Sequence, residues 1–271
     1  MKSEVISSAQ NPKIKELMAL QEKSKERRKK GLFVVEGRRE LLHCLEAGYE
    51  PFTIFICPDI LSESDRRQIE DAAGTMRCGW VEIPQHLYDK AAYRGGTEGV
   101  IAELRCKDMS LDHISLTDKP LVIVVEAIEK PGNLGAVLRS ADAAGADAVI
   151  VCDPLTDLYN PNLIRSSIGA IFTVPVAAAS SEETIQWLKS NNIRIYTAQL
   201  QDSKWYYDTD MTDSTAIVMG TEATGLTDIW RKAADAHIRI PMLGQLDSLN
   251  VSVSAAILMF EAVRQRNTSN I

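Results

Sequence analysis

Cysteine is scarce and badly placed for chemistry. The chain of 271 residues has five, at positions 44, 57, 78, 106 and 152, odd in number and never in a Cys-x-x-Cys pair. That argues against both a disulfide framework and a cysteine zinc site. The four histidines are isolated, so no metal is expected. No apolar run reaches the ~18 residues that cross a bilayer. The opening Met1-Lys2-Ser3-Glu4 has no apolar signal segment. The expectation is a cytoplasmic protein with no membrane partner. Hydrophobic residues at 45% and charged residues at 25% suit a soluble chain that buries a proper core, in one large domain or two ordinary ones.

Positive charge is also in short supply. Lys and Arg number 30 against 37 Asp and Glu, a net charge of −7, which by itself speaks against nucleic acid. The distribution says otherwise. Residues 1–39 hold 11 basic against 5 acidic side chains, and residues 111–271 hold 12 against 19. A basic arm on an acidic body binds RNA through the arm. The run from Gln21 to Lys30 has no apolar face and precedes a short strand. Such runs are usually only solvated. Here Arg27, Arg28, Lys29 and Lys30 are the candidates for an RNA-phosphate-contacting loop.

Residues 1–106 read as a small α/β domain. A helix is expected over 11–20, with apolar positions 14, 17, 18 and 20. Strands follow at 31–37, 52–56, 81–83 and 100–104, helices at 38–47 and 65–73, and a flexible loop at 93–99. Residues 107–119 are polar, end at Pro120 and read as a linker. In 120–271, strands near 121–127, 148–152, 193–198, 215–219 and 237–240 alternate with helices near 133–145, 160–170, 181–190, 226–234 and 249–265. That rhythm implies a parallel sheet with helices on both faces.

Three of those strands run into a polar, glycine-containing loop and then a helix. The first loop is Pro131-Gly132-Asn133-Leu134-Gly135, with Arg139 further along its helix. The second is Gly220-Thr221-Glu222-Ala223-Thr224-Gly225, and the third runs from Pro241-Met242 to Ser248-Leu249-Asn250. Loops at strand carboxyl ends gather into one crevice in open α/β sheets, so the three are expected to meet. Gly220 is expected to let the backbone approach a ligand closely. Each polar residue also has a plain reading: Ser248 and Asn133 as helix N-caps, Arg139 as a surface ion-pair partner, Glu222 as a charge suited to a helix N-terminus. The last helix is apolar nearly all round, which a solvated surface does not allow. Its own domain covers one side and a homodimer partner the other.

In order and spacing, the three loops resemble the signature motifs of the SpoU (TrmH-like) family of RNA 2′-O-ribose methyltransferases, in the knotted SPOUT superfamily. The stretch Gly31-Leu32-Phe33-Val34-Val35-Glu36-Gly37 resembles part of the ribosomal-protein-like RNA-binding domain that precedes the catalytic domain in many relatives. The resemblance implies a trefoil knot within about residues 190–266. It implies S-adenosylmethionine as cofactor, bound in a bent form at Gly220, Ile240, Met242 and Leu249, with Leu200 as a further contact. It places Asn133, Arg139, Glu222, Ser248 and Asn250 at the reacting centre. The family's proposed base falls on Arg139. A guanidinium has only donors to offer, so a phosphate anchor stays open as the other reading. The implied substrate is structured RNA, ribosomal rather than transfer RNA. The implied assembly is a homodimer with Arg139 close to the partner's third loop. Lys130 departs from the family's pattern, since many relatives have an acidic or polar residue before the proline.

Two other readings compete. Asp153 follows Gly132 by 21 residues, as a ribose-binding acid does in a dinucleotide-binding dehydrogenase, but the glycine spacing is wrong for that fingerprint. A non-catalytic RNA-binding assembly factor would need only the basic arm, and would leave Asn133, Arg139, Glu222 and Asn250 unused.

Overall fold

The computed structural model describes residues 3–92, 98–221, 224–245 and 248–268. The chain forms two units: Met1–Lys107 with Asp157–Phe172, and Asp108–Thr156 with Thr173–Ile271. The first contains β1 (Glu4–Val5), α1 (Pro12–Glu22), α2 (Ser24–Lys30), β2 (Leu32–Glu36), α3 (Arg38–Glu46), β3 (Pro51–Ile56), α4 (Glu63–Ala73), β4 (Gly79–Glu82), α5 (Gln85–Ala91) and β5 (Val100–Arg105). Its strands lie in the order β1-β4-β3-β5-β2, with β5 antiparallel to both neighbours. Helix α1 starts where the Asn11 side chain accepts the Lys13 N–H at 2.9 Å and Pro12 occupies the first turn. Its Ile14, Leu17 and Leu20 are fully buried in a core with Val34, Phe55 and Val81.

The basic run is a helix rather than a loop, ended by Gly31 with φ at +63°. Arg27 does not face solvent. It is 3% exposed, and its Nε donates to Asp157 Oδ2 at 2.7 Å while Nη1 donates to the carbonyls of Leu20 and Gln21 at 2.6 and 3.1 Å. The expectation that it contacts RNA is therefore corrected: a helix without an apolar face docked by burying one arginine on a distant carboxylate. Lys30 pairs with Glu16 at 2.7 Å, whereas Arg28 and Lys29 are exposed.

Glu103 on β5 is 3% exposed, and its Oε1 has no partner. Burial pushes its carboxyl up to about 7 from an ordinary 4.5. Between those values the unfolded chain releases a proton that the folded chain keeps. The contribution of this one group is therefore fully present at acid pH and falls as pH rises towards 7, by up to about 3 kcal/mol. Glu103→Gln should match the parent in urea near pH 4 and exceed it near pH 8. Equal midpoints at both would show that the carboxyl titrates normally.

In the second unit the chain runs through β6 (Leu121–Glu126), α6 (Pro131–Ala144) and β7 (Ala148–Cys152). It then leaves for the first unit, where α7 (Pro161–Ser166) and most of α8 (Ala170–Thr173) belong. There Tyr159 and Phe172 pack on Phe33, with ring centroids 4.4 and 5.7 Å away. The single helix expected at 160–170 is broken at Ile168 and Gly169, with φ of +56° and +84°. The second unit resumes with β8 (Val176–Ala179), α9 (Ser181–Ser190), β9 (Arg194–Ala198), β10 (Lys204–Trp205), β11 (Thr215–Met219), α10 (Asp228–Ala233), β12 (Ala236–Arg239) and α11 (Val251–Thr268).

Its seven strands are all parallel, ordered β10-β12-β9-β11-β6-β7-β8. Five were expected. The two missed are edge strands: the alanine-rich β8, whose composition gives little strand signal, and β10, which has two residues. Val122, Val124, Ile150 and Val218 pack with Ile185, Leu188 and Trp230 of α9 and α10. The alternating Ile123, Val149 and Ile217 are equally buried on the opposite face, where α6 and α11 lie. The stretch expected as a linker is packed: Leu111, Ile114 and Leu116 lie on this core, and the Met109 carbonyl accepts the Ala178 N–H at 2.7 Å. Cys152 is fully buried, and burial pushes its thiol up to about 12, which leaves it inert at neutral pH. Among the described residues no helix is long and apolar enough to cross a membrane.

Candidate active site

Strands β12, β9, β11 and β6 are consecutive neighbours, so the loops leaving their carboxyl ends meet. The loops after β9, β11 and β12 line a cavity of about 330 Å³. Leu200, Gly220, Ile240, Met242, Ser248 and Leu249 all line it. These are the five expected cofactor residues together with one expected at the reacting centre.

The third loop joins the first through a pair of side-chain amides. Asn250 Nδ2 donates to Asn133 Oδ1 at 3.2 Å. The same Asn250 turns its Oδ1 to the Ser252 N–H and hydroxyl, at 3.0 and 2.6 Å. Asn250 is thus the cap of α11, which leaves Ser248 free of that duty and on the cavity wall. Asn133 is not a cap either, because Lys130 occupies that position of α6. Its side chain is placed by the helix to meet Asn250.

Gly220 meets a steric requirement within its own loop. A Cβ there would lie 2.2 Å from the Gly225 carbonyl carbon and 2.4 Å from the Leu226 nitrogen. The close approach is the loop's own: the Gly225 N–H donates to the Thr221 carbonyl at 3.0 Å, and the Thr224 N–H to Thr221 Oγ1 at 3.0 Å. Glu222 lies outside the described residues.

Arg139 does not line the cavity. It is exposed on α6, six residues beyond Asn133. At about 100° and 1.5 Å per residue it sits on a different face and roughly 9 Å further along.

Among the cavity residues that escaped the sequence reading are Gln199, Arg231 and Arg239. Gln199 Oε1, Arg231 Nε and Arg239 Nε are buried without a hydrogen-bond partner. The Arg239 guanidinium lies 4.2 Å over the Trp205 ring. Such a lining, apolar at Ile240, Met242 and Leu249 and polar at its arginines and glutamine, suits a ligand with a flat apolar part and a charged end. Only the alternation of β12, with Ile238 inward, hinted at Arg239. Arg231 had no such signal. Asp153 does not serve a nucleotide ribose: its carboxylate accepts the Ser181 hydroxyl at 2.7 Å and N–H at 3.2 Å. Among the described residues no three His, Cys, Asp or Glu are grouped to hold a metal.

Comparison with known proteins agrees with this geometry. Residues 120–260 match the SpoU rRNA methylase family, and residues 11–102 match the MRM3-like substrate binding domain. A 23S rRNA guanosine 2′-O-methyltransferase of Bacillus subtilis is 29% identical over 94% of this chain and 97% of its own. The crystal structure of an RNA 2′-O ribose methyltransferase, 38% identical, superposes with a TM-score of 0.81 over 97% of this chain and 99% of that one. An AdoMet-bound rRNA methyltransferase from Sinorhizobium meliloti, 26% identical, reaches 0.89 over 97% and 98%. A cavity walled by the second and third motif loops, with the first joined to the third through Asn133 and Asn250, in a chain matched almost end to end by these structures, places the protein in the SpoU rRNA methylase family.

Proposed function

We propose that this protein transfers the methyl group of S-adenosylmethionine to a ribose 2′-hydroxyl of ribosomal RNA. The observation that carries the reading is the cavity at the ends of β9, β11 and β12, lined by the second and third motif loops, with the Asn133–Asn250 pair joining the first motif loop to the third. Its residues fit the cofactor. Ile240, Met242 and Leu249 form an apolar wall for the adenine, and the unpartnered nitrogens of Arg231 and Arg239 are donors for the carboxylate end. When bound, the cofactor supplies a methyl group on a good leaving group, so catalysis is mostly positioning. Asn133 and Asn250 orient the ribose, and Ser248 borders the reacting centre. Arg139 presents donors to the RNA, for which phosphate is the complementary acceptor. Arg28 and Lys29 serve the RNA at longer range through charge. With an rRNA substrate, the reading includes a cytoplasmic enzyme.

The same reading includes a two-fold homodimer and a C-terminal knot. Val253 and Phe260 on α11 are 47% and 46% exposed, with the partly buried Ile257 between them at helical spacing. Another copy covers such a stripe. Helix α11 packs on α6, so the dimer brings the exposed Arg139 towards the partner's third loop. The knot is supported by the return of α11 to β11 and α6 after the chain has left β12, two strands away.

Labelled S-adenosylmethionine, this protein and ribosomal RNA from cells lacking it should give ribose-borne label. Arg139→Ala and Asn250→Ala should each lower the rate at least ~100-fold, the range of a lost positioning contact. Mixed Arg139→Ala and Asn250→Ala subunits should regain part of it. No label transfer would end the methylation reading. A monomer at micromolar concentration would end the shared site, and dimers that regain nothing would confine each site to one chain.

A further inference from the structure

Glu126 closes β6 and is 4% exposed, a carboxylate inside the core. It belongs to no motif. Two donors converge on it, both from Thr227, and a third polar group lies close by. The Thr227 N–H donates to Oε2 at 2.9 Å, the Thr227 hydroxyl to Oε1 at 2.5 Å, and the Ser181 hydroxyl approaches Oε1 at 3.2 Å. Ser181 in turn bonds Asp153 Oδ2 at 2.7 Å and accepts the Trp230 Nε1–H at 3.0 Å. The buried acid is therefore well satisfied, and its main partner is Thr227, 101 residues away.

Thr227 occupies the N-cap position of α10, yet its hydroxyl makes no cap hydrogen bond to that helix. A threonine there ordinarily satisfies one of the helix's free N–H groups. Here it is turned away, to Glu126. The short helix forgoes its cap in favour of a tether, an arrangement that local stability alone does not favour.

What the tether holds is the cavity loop. Met219 pairs with Val125, so the loop leaves β11 beside the residue that precedes Glu126. Gly220, Thr221, Thr224, Gly225 and Leu226 line the cavity, and the next residue is Thr227. Both ends of the loop are thus fixed to one strand, by backbone pairing at Met219 and by the Glu126 carboxylate at Thr227. Arg231, one turn into α10, also lines the cavity and is carried by the same anchor. We infer that Glu126 is a positioning residue for cofactor binding, which holds the Gly220-to-Leu226 loop and Arg231 in their binding geometry without touching the ligand. This rests on the cofactor reading above.

Calorimetry with S-adenosylmethionine on the full-length protein tests it. Glu126→Gln keeps the shape but has one acceptor oxygen and no charge, so it can accept from only one of the two Thr227 donors. It should weaken binding about tenfold and raise the KM for the cofactor, with kcat at saturation and RNA affinity within twofold. Thr227→Val removes the hydroxyl from the other end and should act likewise. The double variant should be no worse than the more affected single variant, because both cut one tether. Thr184→Val is the comparison for simple destabilisation. Its buried hydroxyl bonds the Ser180 carbonyl and Cys152 Sγ, away from the loop, so the melting temperature should fall without loss of cofactor affinity. Lower melting temperatures with unchanged cofactor affinity in Glu126→Gln and Thr227→Val would overturn the inference, leaving the carboxylate a purely structural role. If Glu126→Gln does not fold, Thr227→Val alone decides. Failure of the unmodified protein to bind S-adenosylmethionine would instead remove the cofactor reading.

Discussion

Gly220→Ala should abolish cofactor binding while the fold stands. A methyl group at this position meets backbone: Gly225 C at 2.2 Å, Gly225 O at 2.3 Å and the Leu226 nitrogen at 2.4 Å. Backbone atoms cannot rotate aside as a flexible side chain would. The loop must open, and with it the wall made by Thr221, Thr224 and Gly225. The sheet beneath is spared, because the pairing of β11 with β6 is complete at Met219–Val125. Calorimetry should show S-adenosylmethionine affinity lowered at least a hundredfold, about 2.7 kcal/mol. Circular dichroism should show a native spectrum. Binding equal to that of the unmodified protein would mean that the loop does not form the site.

Arg27→Ala should unfold the first unit far more readily and leave RNA affinity per folded molecule unchanged. Its guanidinium makes a buried ion pair with Asp157 and donates to two carbonyls, and its side chain is 4% exposed against 19% for the aspartate. Removing one partner of a buried pair leaves the other uncompensated, typically at a cost of about 3–5 kcal/mol. Urea unfolding should show that loss. Arg27→Ala with Asp157→Ala should recover part of it, because the stranded charge is gone. Arg28→Ala with Lys29→Ala should do the reverse: near-parent stability, with lower RNA affinity and a shallower salt slope. A parent-like urea midpoint with weakened RNA binding in Arg27→Ala would return this residue to the RNA surface.

Elements with a strong local signal were legible from the residues. β6, β7 and β11 are unbroken apolar runs, and their burial shows why. The motif glycines and asparagines marked the strand ends where the cavity forms. Elements with weak local signals were not. β8 and β10 acquire strand geometry by pairing with β7 and β12, and the break at Ile168 and Gly169 arises in a segment packed on the first unit, where a Cβ on Gly169 would lie 2.9 Å from His43. The cavity was legible through its glycines and apolar residues. Arg231 and Arg239 were hidden, since an arginine on a short helix or at the end of a strand is ordinarily a surface residue.

Order and periodicity along the chain thus sufficed for the parallel α/β class, the meeting of three loops and the apolar last helix, because each depends on residues a few positions apart. Partnership over long separations was decided only in the folded protein. Arg27 looked like its basic neighbours until Asp157, 130 residues later, buried it. Glu126 looked like the polar end of a strand until Thr227 arrived. A charge becomes a phosphate contact, a clamp or a tether according to what the fold brings against it, since the energy of an ionised group turns on its solvation and its nearest partners, which sequence spacing does not specify.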